Sequence, residues 1–183
     1  MDNVVIKQLL GGTGKVIRDY ITADNAEELL VKSHSRFEHF KKQSFSHDEW
    51  EKIFEFPRAN FISLQYGSDW QQEIDALPPS MRERITVFKD ADMSDDMETV
   101  FAIASNLDLI ISPSSTVSWI GGSLNISTWV FHLRPNHTQL GTSHFPGFPS
   151  MRSFPKNISE TWDTCFSKIY TELKNTPENR PLT

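Results

Sequence analysis

The sequence has a single cysteine, no excess of positive charge and no long apolar run, and each shortage removes a class of protein. Cys165 cannot form an internal disulfide, and no Cys/His cluster indicates zinc. Lys and Arg number 18 against 24 for Asp and Glu, and the formal net charge of −6 argues against a nucleic-acid-binding surface. No apolar run approaches the roughly 20 residues that cross a bilayer, and the start "MDNVVIKQLL" does not resemble a signal peptide. We therefore expect a soluble cytoplasmic protein without a transmembrane segment.

Familiar catalytic motifs are missing as well. The histidines form no His-Glu-x-x-His pair, and no Gly-x-Ser-x-Gly elbow occurs. The segment "LLGGTGK" is not a Walker motif, because Leu9 stands where the motif needs glycine and Val16 where it needs Ser or Thr. His137 and His144 fall in a polar loop near the predicted site. Because neither has a paired carboxylate nearby in the sequence, we interpret both as solvated side chains.

An acidic turn, "KDADMSDD", precedes the helical segment "DMETVFAIASNL". Asp95 and Glu98 have the three-residue spacing of a capping box at the start of that helix. Asp92, Asp95 and Asp96 also resemble a metal-binding cluster, although caps and solvated carboxylates produce the same pattern. We interpret the turn as a capping segment and predict no metal.

Strand-like and helix-like segments alternate along the chain. The predicted strands are "NVVIKQLL", "ANFISLQYG", "RITVF", "LDLIIS" and "STWVFHL". The predicted helices are "NAEELLVKSHSRFEHFKK", "SHDEWEKIFEF", "DWQQEIDAL", "DMETVFAIASNL", "SSTVSWIGGSL" and "SETWDTCFSKIYTELK", with a loop from Arg134 to Pro155 before the last. This order predicts one three-layer α/β domain with a mainly parallel sheet over residues 1–174. We interpret residues 175–183 as a disordered tail.

The turn after "LDLIIS" is the best candidate for a binding site. Ligands of such sheets lie beyond the carboxyl ends of the strands, where "GGTGK", "QYGSD", "DADMSDDMET" and "SPSSTVS" are expected to meet. Ser114, Ser115 and Thr116 would place hydroxyls and backbone N–H groups at a helix N-terminus, which suits a diphosphate. Simple capping by Ser114 or Ser115 explains the same residues. Gly121 and Gly122, inside this helix, indicate either close helix–strand packing or close approach to a ligand.

Several stretches, taken in order, resemble the C-terminal part of bacterial glycosyltransferase-like proteins that often follow tetratricopeptide repeats. These proteins are related to the heptosyltransferase and O-linked N-acetylglucosamine transferase groups. The resemblance rests on "SFSHDEW", "FISLQYGSD", "DDMETVFAIASNLDLIIS", "STVSWIGGSLNISTWVF" and "FPGFPSMRSF". It implies a single Rossmann-like domain that forms the nucleotide-sugar-binding half of a GT-B fold. The implied donor is a nucleotide-diphosphate sugar, with no metal or other cofactor.

The resemblance also implies which residues bind the donor. Gln65 occupies a Ser-Leu-Gln position that contacts phosphate or ribose, and Glu98 and Thr99 match an acidic-Thr pair that opens a helix. Residues 114–116 match the polar turn that holds the diphosphate. The full set of implied donor-binding residues is Gly11, Gly12, Thr13, Lys15, Gln65, Tyr66, Glu98, Thr99, Ser114, Ser115 and Thr116.

The chain departs from the family at positions that bear on activity. Ser114 stands where the family has Asp, and Trp119 where it has His. Residues 8–10, Gln-Leu-Leu, replace a Ser-Trp-Arg whose Arg would meet phosphate. Lys15 or Arg18 is the available substitute for that Arg.

The comparison with the family leads to two hypotheses about function. A GT-B enzyme closes two Rossmann-like domains around its substrates, and this sequence is expected to form one such domain. The first hypothesis is a nucleotide-sugar-binding domain that transfers a hexosyl or heptosyl group only with an acceptor domain supplied elsewhere, such as a partner chain. The alternative is a degenerate, non-catalytic binding or scaffold domain. The replaced Asp, His and Arg favour the alternative, whereas Gln65, Glu98 and Thr116 favour the first hypothesis.

Overall fold

The computed structural model describes residues 2–6, 47–65, 70–93, 95–134 and 136–176. The strands in this part of the chain are β1 (Asp2–Ile6), β2 (Ala59–Ser63), β3 (Ile85–Val87), β4 (Leu109–Pro113), β5 (Thr128–Leu133) and β6 (Met151–Lys156). The α-helices are α1 (His47–Phe54), α2 (Trp70–Asp75), α3 (Pro79–Arg82), α4 (Met97–Ala104), α5 (Thr116–Ser123) and α6 (Trp162–Asn175). A short 3-10 helix spans His137–Gln139.

The strands form one sheet in the order β3-β2-β1-β4-β5-β6, and every neighbouring pair runs parallel. From β1 the chain moves outward through β2 to β3. It then returns past β1 to β4 and moves outward in the other direction through β5 to β6. This strand order is that of doubly wound Rossmann domains. The predicted α/β domain with a mainly parallel sheet is therefore confirmed.

Strand β4 is buried on both faces of the sheet. Leu109, Ile110 and Ile111 are each 0% exposed. Because successive side chains of a strand point to opposite faces, Leu109 and Ile111 join one core while Ile110 joins the other. A strand covered on both faces needs a continuous apolar run, which explains why "LDLIIS" has no polar alternation.

An aromatic core covers the face of the sheet on which α1 and α6 pack. The ring of Trp50 in α1 meets Phe131 of β5 and Phe166 of α6 edge-on, at centroid distances of 5.8 and 5.1 Å. Trp162, at the start of α6, also meets Phe131 edge-on at 5.8 Å. Such pairs add about 0.5–1.5 kcal/mol each beyond their burial. This cluster anchors the last described helix to the sheet.

The other face is covered by α4, α5 and the segment 134–150. Val100 of α4 and both Val117 and Ile120 of α5 bury their side chains in the same core as Ile110. Beside them, Phe145 from the segment after β5 packs in a smaller core against β5 and β6. Helices on both faces complete the three predicted layers.

The glycine pair in α5 is explained by close helix–strand packing. A Cβ added to Gly121 would overlap the hydroxyl of Thr128 on β5 and would lie 2.9 Å from Cδ1 of Ile110. A Cβ added to Gly122 would lie 2.5 Å from the sulfur of Met151 and 2.8 Å from the Phe148 ring. The first of the two sequence-based interpretations is therefore confirmed, because protein atoms fill the space beside both glycines.

The predicted loop from Arg134 to Pro155 is wrong at its C-terminal end. Residues Met151–Lys156 form β6, which pairs in parallel with the whole of β5. Pro155 does not exclude this strand, because an edge strand leaves one row of N–H groups without a neighbour. Pairing with β5, which the local sequence does not reveal, decides the conformation of this segment.

The other described elements agree with the sequence analysis, which predicts neither α3 nor the 3-10 helix at His137–Gln139. In α3, Pro79 occupies the first turn, where its missing N–H has no intrahelical acceptor to lose. The helix predicted at "NAEELLVKSHSRFEHFKK" lies outside the described residues. The part of the predicted tail from residue 177 onward also lies outside them.

We expect Gly121→Ala to destabilise the fold, although alanine favours helices. Overpacking against Thr128 and Ile110 costs about 1–3 kcal/mol, whereas the gain in helix propensity is roughly 1 kcal/mol. Urea unfolding followed by circular dichroism measures the free energy of unfolding. Gly147→Ala is the matched control, because its added Cβ would meet nothing within 4 Å. A free energy of unfolding that stays at the wild-type value in Gly121→Ala would contradict the close packing.

Candidate functional site

The carboxyl ends of β1 and β4 form the topological switch point of the sheet. Ile6 is in register with Ile111, and the chain leaves β1 toward β2 but leaves β4 toward β5. Connections that depart to opposite sides leave a crevice between the strand ends, and doubly wound sheets bind ligands there. The turn of residues 113–116, between β4 and α5, borders this crevice.

Ser115 caps helix α5. Its backbone is extended, with φ −144° and ψ 174°, and its N–H donates to the Ser118 hydroxyl at 3.1 Å. The Ser118 hydroxyl in turn donates to the Ser115 carbonyl at 2.7 Å. The hydroxyls of Ser112 and Ser115 are 3.1 Å apart. The capping interpretation is confirmed for Ser115, and diphosphate binding at this turn stays a prediction.

Ser114 and Thr116 flank the cap, and both are exposed. Thr116 is the first residue of α5, so its N–H belongs to the helix turn that lacks intrahelical acceptors. The positive end of the helix dipole lies at the same turn. Two accessible hydroxyls and a helix N-terminus therefore border the switch-point crevice.

Gln65 lies just beyond the end of β2, one strand further from β4 than β1. Its side chain is buried, with 6% of the residue exposed, and its N–H donates to the Ser63 hydroxyl at 3.3 Å. Since β1 separates β2 from β4, Gln65 and the β4–α5 turn are about 10 Å apart across the strands. The same edge of the sheet carries both, with the end of β1 between them.

Asp96, and not Asp95, caps helix α4. The Asp96 carboxylate accepts the Thr99 N–H at 3.0 Å and the Thr99 hydroxyl at 2.5 Å, and these bonds lower the pKa of Asp96. The prediction that Asp95 makes the cap is wrong, because Asp96 is the residue at the N-cap position of α4. Asp95 lies one residue earlier, and its N–H donates to the Asp92 carboxylate. The acidic turn is a capping segment as interpreted. Within it, Glu98 is exposed at the first turn of α4.

Trp119 takes part in aromatic packing. Its ring meets Phe145 edge-on at 6.0 Å and lies 5.3 Å from the Phe148 ring. The position where the resembled family carries His is therefore occupied by an aromatic contact that ties α5 to the segment after β5.

Five predicted donor residues lie outside the described part of the chain. They are Gly11, Gly12, Thr13, Lys15 and Tyr66. The structure brings Ser114, Ser115 and Thr116 together at the switch point. It places Gln65 on the neighbouring side of β1, and Glu98 and Thr99 at the start of α4.

A second cleft, which the sequence analysis missed, lies between the turns that follow β5 and β6. Its volume is about 770 Å³, within the range of small-molecule sites. Arg134 and Gln139 contribute to the wall on the β5 side, and Asn157 and Ser159 to the wall on the β6 side. Because the sequence analysis predicts a loop where β6 lies, it offers no reason to pair these two turns. The position of Arg134 directly after a buried strand was the one sequence feature that could have indicated a binding site here.

Beneath this cleft, His132 is buried in a polar network. Its Nε2 lies 2.8 Å from the Ser153 hydroxyl, which also accepts the side-chain amide of Gln139 at 3.0 Å. Burial is the main reason that the pKa of His132 is lowered. His137 and His144 are exposed, in agreement with their interpretation as solvated side chains.

Other features of the described residues add no further chemistry. They contain no group of three or more His, Cys, Asp and Glu side chains arranged to hold a metal ion. Cys165 is buried, and burial raises the pKa of its thiol to about 12. No helix in the described ranges is long and apolar enough to span a bilayer.

Fold and site together define a doubly wound α/β domain with a polar turn at its switch point. A scan against protein-family models finds no match, and no solved structure matches the chain. Among curated proteins, Protein FlbA of Caulobacter vibrioides is 26% identical over 126 residues, or 69% of this chain. The matched region is 21% of FlbA, so the chain spans about a fifth of the length of the curated relative it matches.

We expect acid to destabilise the domain through His132. Its pKa is lowered in the fold, so protonation favours the unfolded state, and stability falls as pH drops through the unfolded value of about 6.5. Chemical unfolding at a series of pH values between about 7.5 and 5.5 measures this slope. His132→Gln should flatten the slope, whereas His137→Gln should retain it because that imidazole is exposed. Equal slopes in wild type and His132→Gln would contradict the assignment.

Proposed function

We propose that this domain binds a nucleotide-diphosphate sugar at the switch-point crevice, as the donor half of a glycosyltransferase. The observation that carries the proposal is the turn of residues 113–116. In a sheet of Rossmann strand order, this turn places the exposed Ser114 and Thr116 and the N-terminus of α5 at the switch point. A diphosphate is the group that such a helix end stabilises. The resemblance to GT-B donor domains supplies the sugar-nucleotide identity.

The proposed chemistry is displacement at the anomeric carbon. An acceptor hydroxyl forms the new C–O bond, its proton passes to a base, and the bond from the anomeric carbon to the diphosphate oxygen breaks. The N-terminus of α5 would stabilise the negative charge that grows on the leaving diphosphate. Acceptor positioning and the base belong to an acceptor domain supplied elsewhere, so the domain alone binds donor without transferring sugar.

A degenerate binding or scaffold domain is the second candidate, and Trp119 favours it. The Trp119 ring packs against Phe145 and Phe148, so an aromatic packing residue stands where the resembled family carries His. The Thr99 hydroxyl is similarly committed to the Asp96 carboxylate. Both contacts stabilise the fold at places where the resembled family contacts its ligand.

We expect at least one of UDP-, GDP- and ADP-sugars to raise the melting temperature of the wild-type domain. A ligand at about 100 times its Kd adds about 2.7 kcal/mol to the free energy of unfolding. Thr116→Glu should abolish the shift, because a carboxylate in the first turn repels the diphosphate. The same carboxylate favours the helix dipole, so the variant should stay folded. Differential scanning fluorimetry measures both effects.

Thr164→Glu is the matched control. It places the same new charge at an exposed position in the first turn of α6, which follows the edge strand β6 and not the switch point. The control should keep the ligand-induced shift of the wild type. Absence of any shift in folded wild type would reject donor binding and favour the degenerate domain. If the ligand still raises the melting temperature of Thr116→Glu, the ligand binds somewhere other than this turn.

A further inference from the structure

The cleft after β5 and β6 combines a free cation with neutral hydrogen-bonding groups. In the described part of the chain, the guanidinium of Arg134 forms no ion pair, and no carboxylate lines the cleft. Asn136, Gln139, Thr142 and Ser143 line one wall. A guanidinium without a carboxylate partner suits a phosphate or carboxylate ligand, which it can bind through two parallel hydrogen bonds.

A buried cation beside the cleft adds to the positive potential. Lys156, the last residue of β6, is only 6% exposed and precedes the cleft residue Asn157. Its ammonium donates to the Asn157 carbonyl at 3.1 Å and lies 5.5 Å from the Trp162 ring centre. Among the described residues, no carboxylate pairs with it. A buried charge is normally paired, so an anion close to Asn157 would compensate a charge that the fold leaves without a counter-ion.

The wall on the β5 side is held rigid by hydrogen bonds. The Asn136 carboxamide oxygen accepts the Thr138 N–H at 3.0 Å and starts the 3-10 helix. Gln139 is 5% exposed and donates to Ser153, while the Thr142 hydroxyl donates to the Gln139 carbonyl at 2.8 Å. A preorganised wall lowers the entropy cost of binding a small ligand.

The wall on the β6 side is held by Glu160, the carboxylate nearest in sequence. Glu160 accepts the Asn157 N–H at 2.8 Å and pairs with Lys168 at 3.4 Å, and the Asn157 bond is the main cause of its lowered pKa. Its charge is therefore engaged by the Asn157 N–H of its own turn and by Lys168 of α6. The cleft residue Ser159 precedes it directly.

One exposed apolar side chain, that of Ile158, lines the same cleft. Ile158 lines the cleft and is 81% exposed, and Leu140, next to the lining residue Gly141, is 78% exposed. Leu140 has a positive φ of 51° because it ends the 3-10 helix as its C-cap, where a left-handed residue is common. An exposed aliphatic group beside hydroxyls and amides suits a ligand that has both an apolar C–H surface and hydroxyl groups.

We propose that this cleft is a second binding site, for a small polyhydroxylated ligand with one anionic group. Arg134 binds the anion, the amides and hydroxyls of the two walls bind the ligand hydroxyls, and Ile158 contacts its C–H face. A sugar phosphate and a sugar acid share this chemistry. The site uses none of the residues of the β4–α5 turn, so it does not depend on the proposed donor function.

Isothermal titration of the full chain with four probes tests the proposal. The probes are glucose 6-phosphate, glucuronate, glucose and inorganic phosphate. At least one of the two anionic sugars should bind about tenfold more tightly than glucose or phosphate, and the tighter of them identifies the anion. Arg134→Gln should weaken that binding about tenfold, and Ser159→Glu should weaken it at least as much by placing a carboxylate in the cleft.

Arg82→Gln is the matched control for charge. Arg82 lies on α3, at 3.9 Å from Asp75, and should not affect binding when replaced. Thr116→Glu separates the two sites, because a ligand of the cleft is still bound when the switch-point turn is blocked. No heat from either anionic sugar up to about 10 mM, affinity for phosphate alone equal to that for the sugars, or unchanged binding in Arg134→Gln would each overturn the proposal. Loss of binding in Thr116→Glu would overturn it as well.

Discussion

The burial of β4 on both faces is the constraint on which the rest of the structure depends. Leu109, Ile110 and Ile111 expose no surface, so helices must cover both sides of the sheet. A parallel strand also requires a crossover for every connection. These two demands produce layers built from α1 and α6 on one face and α4 and α5 on the other. The winding direction reverses beside β4, and the turn of residues 113–116, the candidate donor site, follows that strand.

Helix α5 connects the two candidate sites. Gly121 lets it approach Thr128 of β5, which fixes the N-terminal turn of the helix above the end of β4. On the same helix, Trp119 packs against Phe145 and Phe148, in the segment that continues from the wall of the second cleft. The helix therefore positions the switch-point turn and also anchors the segment after β5. This shared support explains why α5 carries a bulky aromatic residue, Trp119, where it meets the segment after β5.

Much of the fold could be predicted from local sequence, because the spacing of apolar residues and the helix caps depend only on neighbouring residues. The apolar run at Leu109–Ile111, the capped start of α5 at Ser115 and the amphipathic α6 all follow from neighbouring residues. The sequence could not show which residue caps α4. Asp95 and Asp96 are chemically identical, and the backbone geometry that aims Asp96 at Thr99 is set by the whole turn. Strand β6 was missed because a short segment with proline becomes a strand only when β5 is beside it.

The sequence by itself determined the fold class, the succession of strands and helices, and the polar turn after β4. These features depend on the spacing of apolar residues and on the residue types in turns, which are local properties of the chain. Only the tertiary structure decided which strands are neighbours, and therefore where the switch point lies. It alone showed that Gly121 and Gly122 serve packing, and that the turn at Arg134 faces the turn at Asn157 across a cleft. The physical reason is that these properties arise from contacts between residues distant in sequence, which no local pattern encodes.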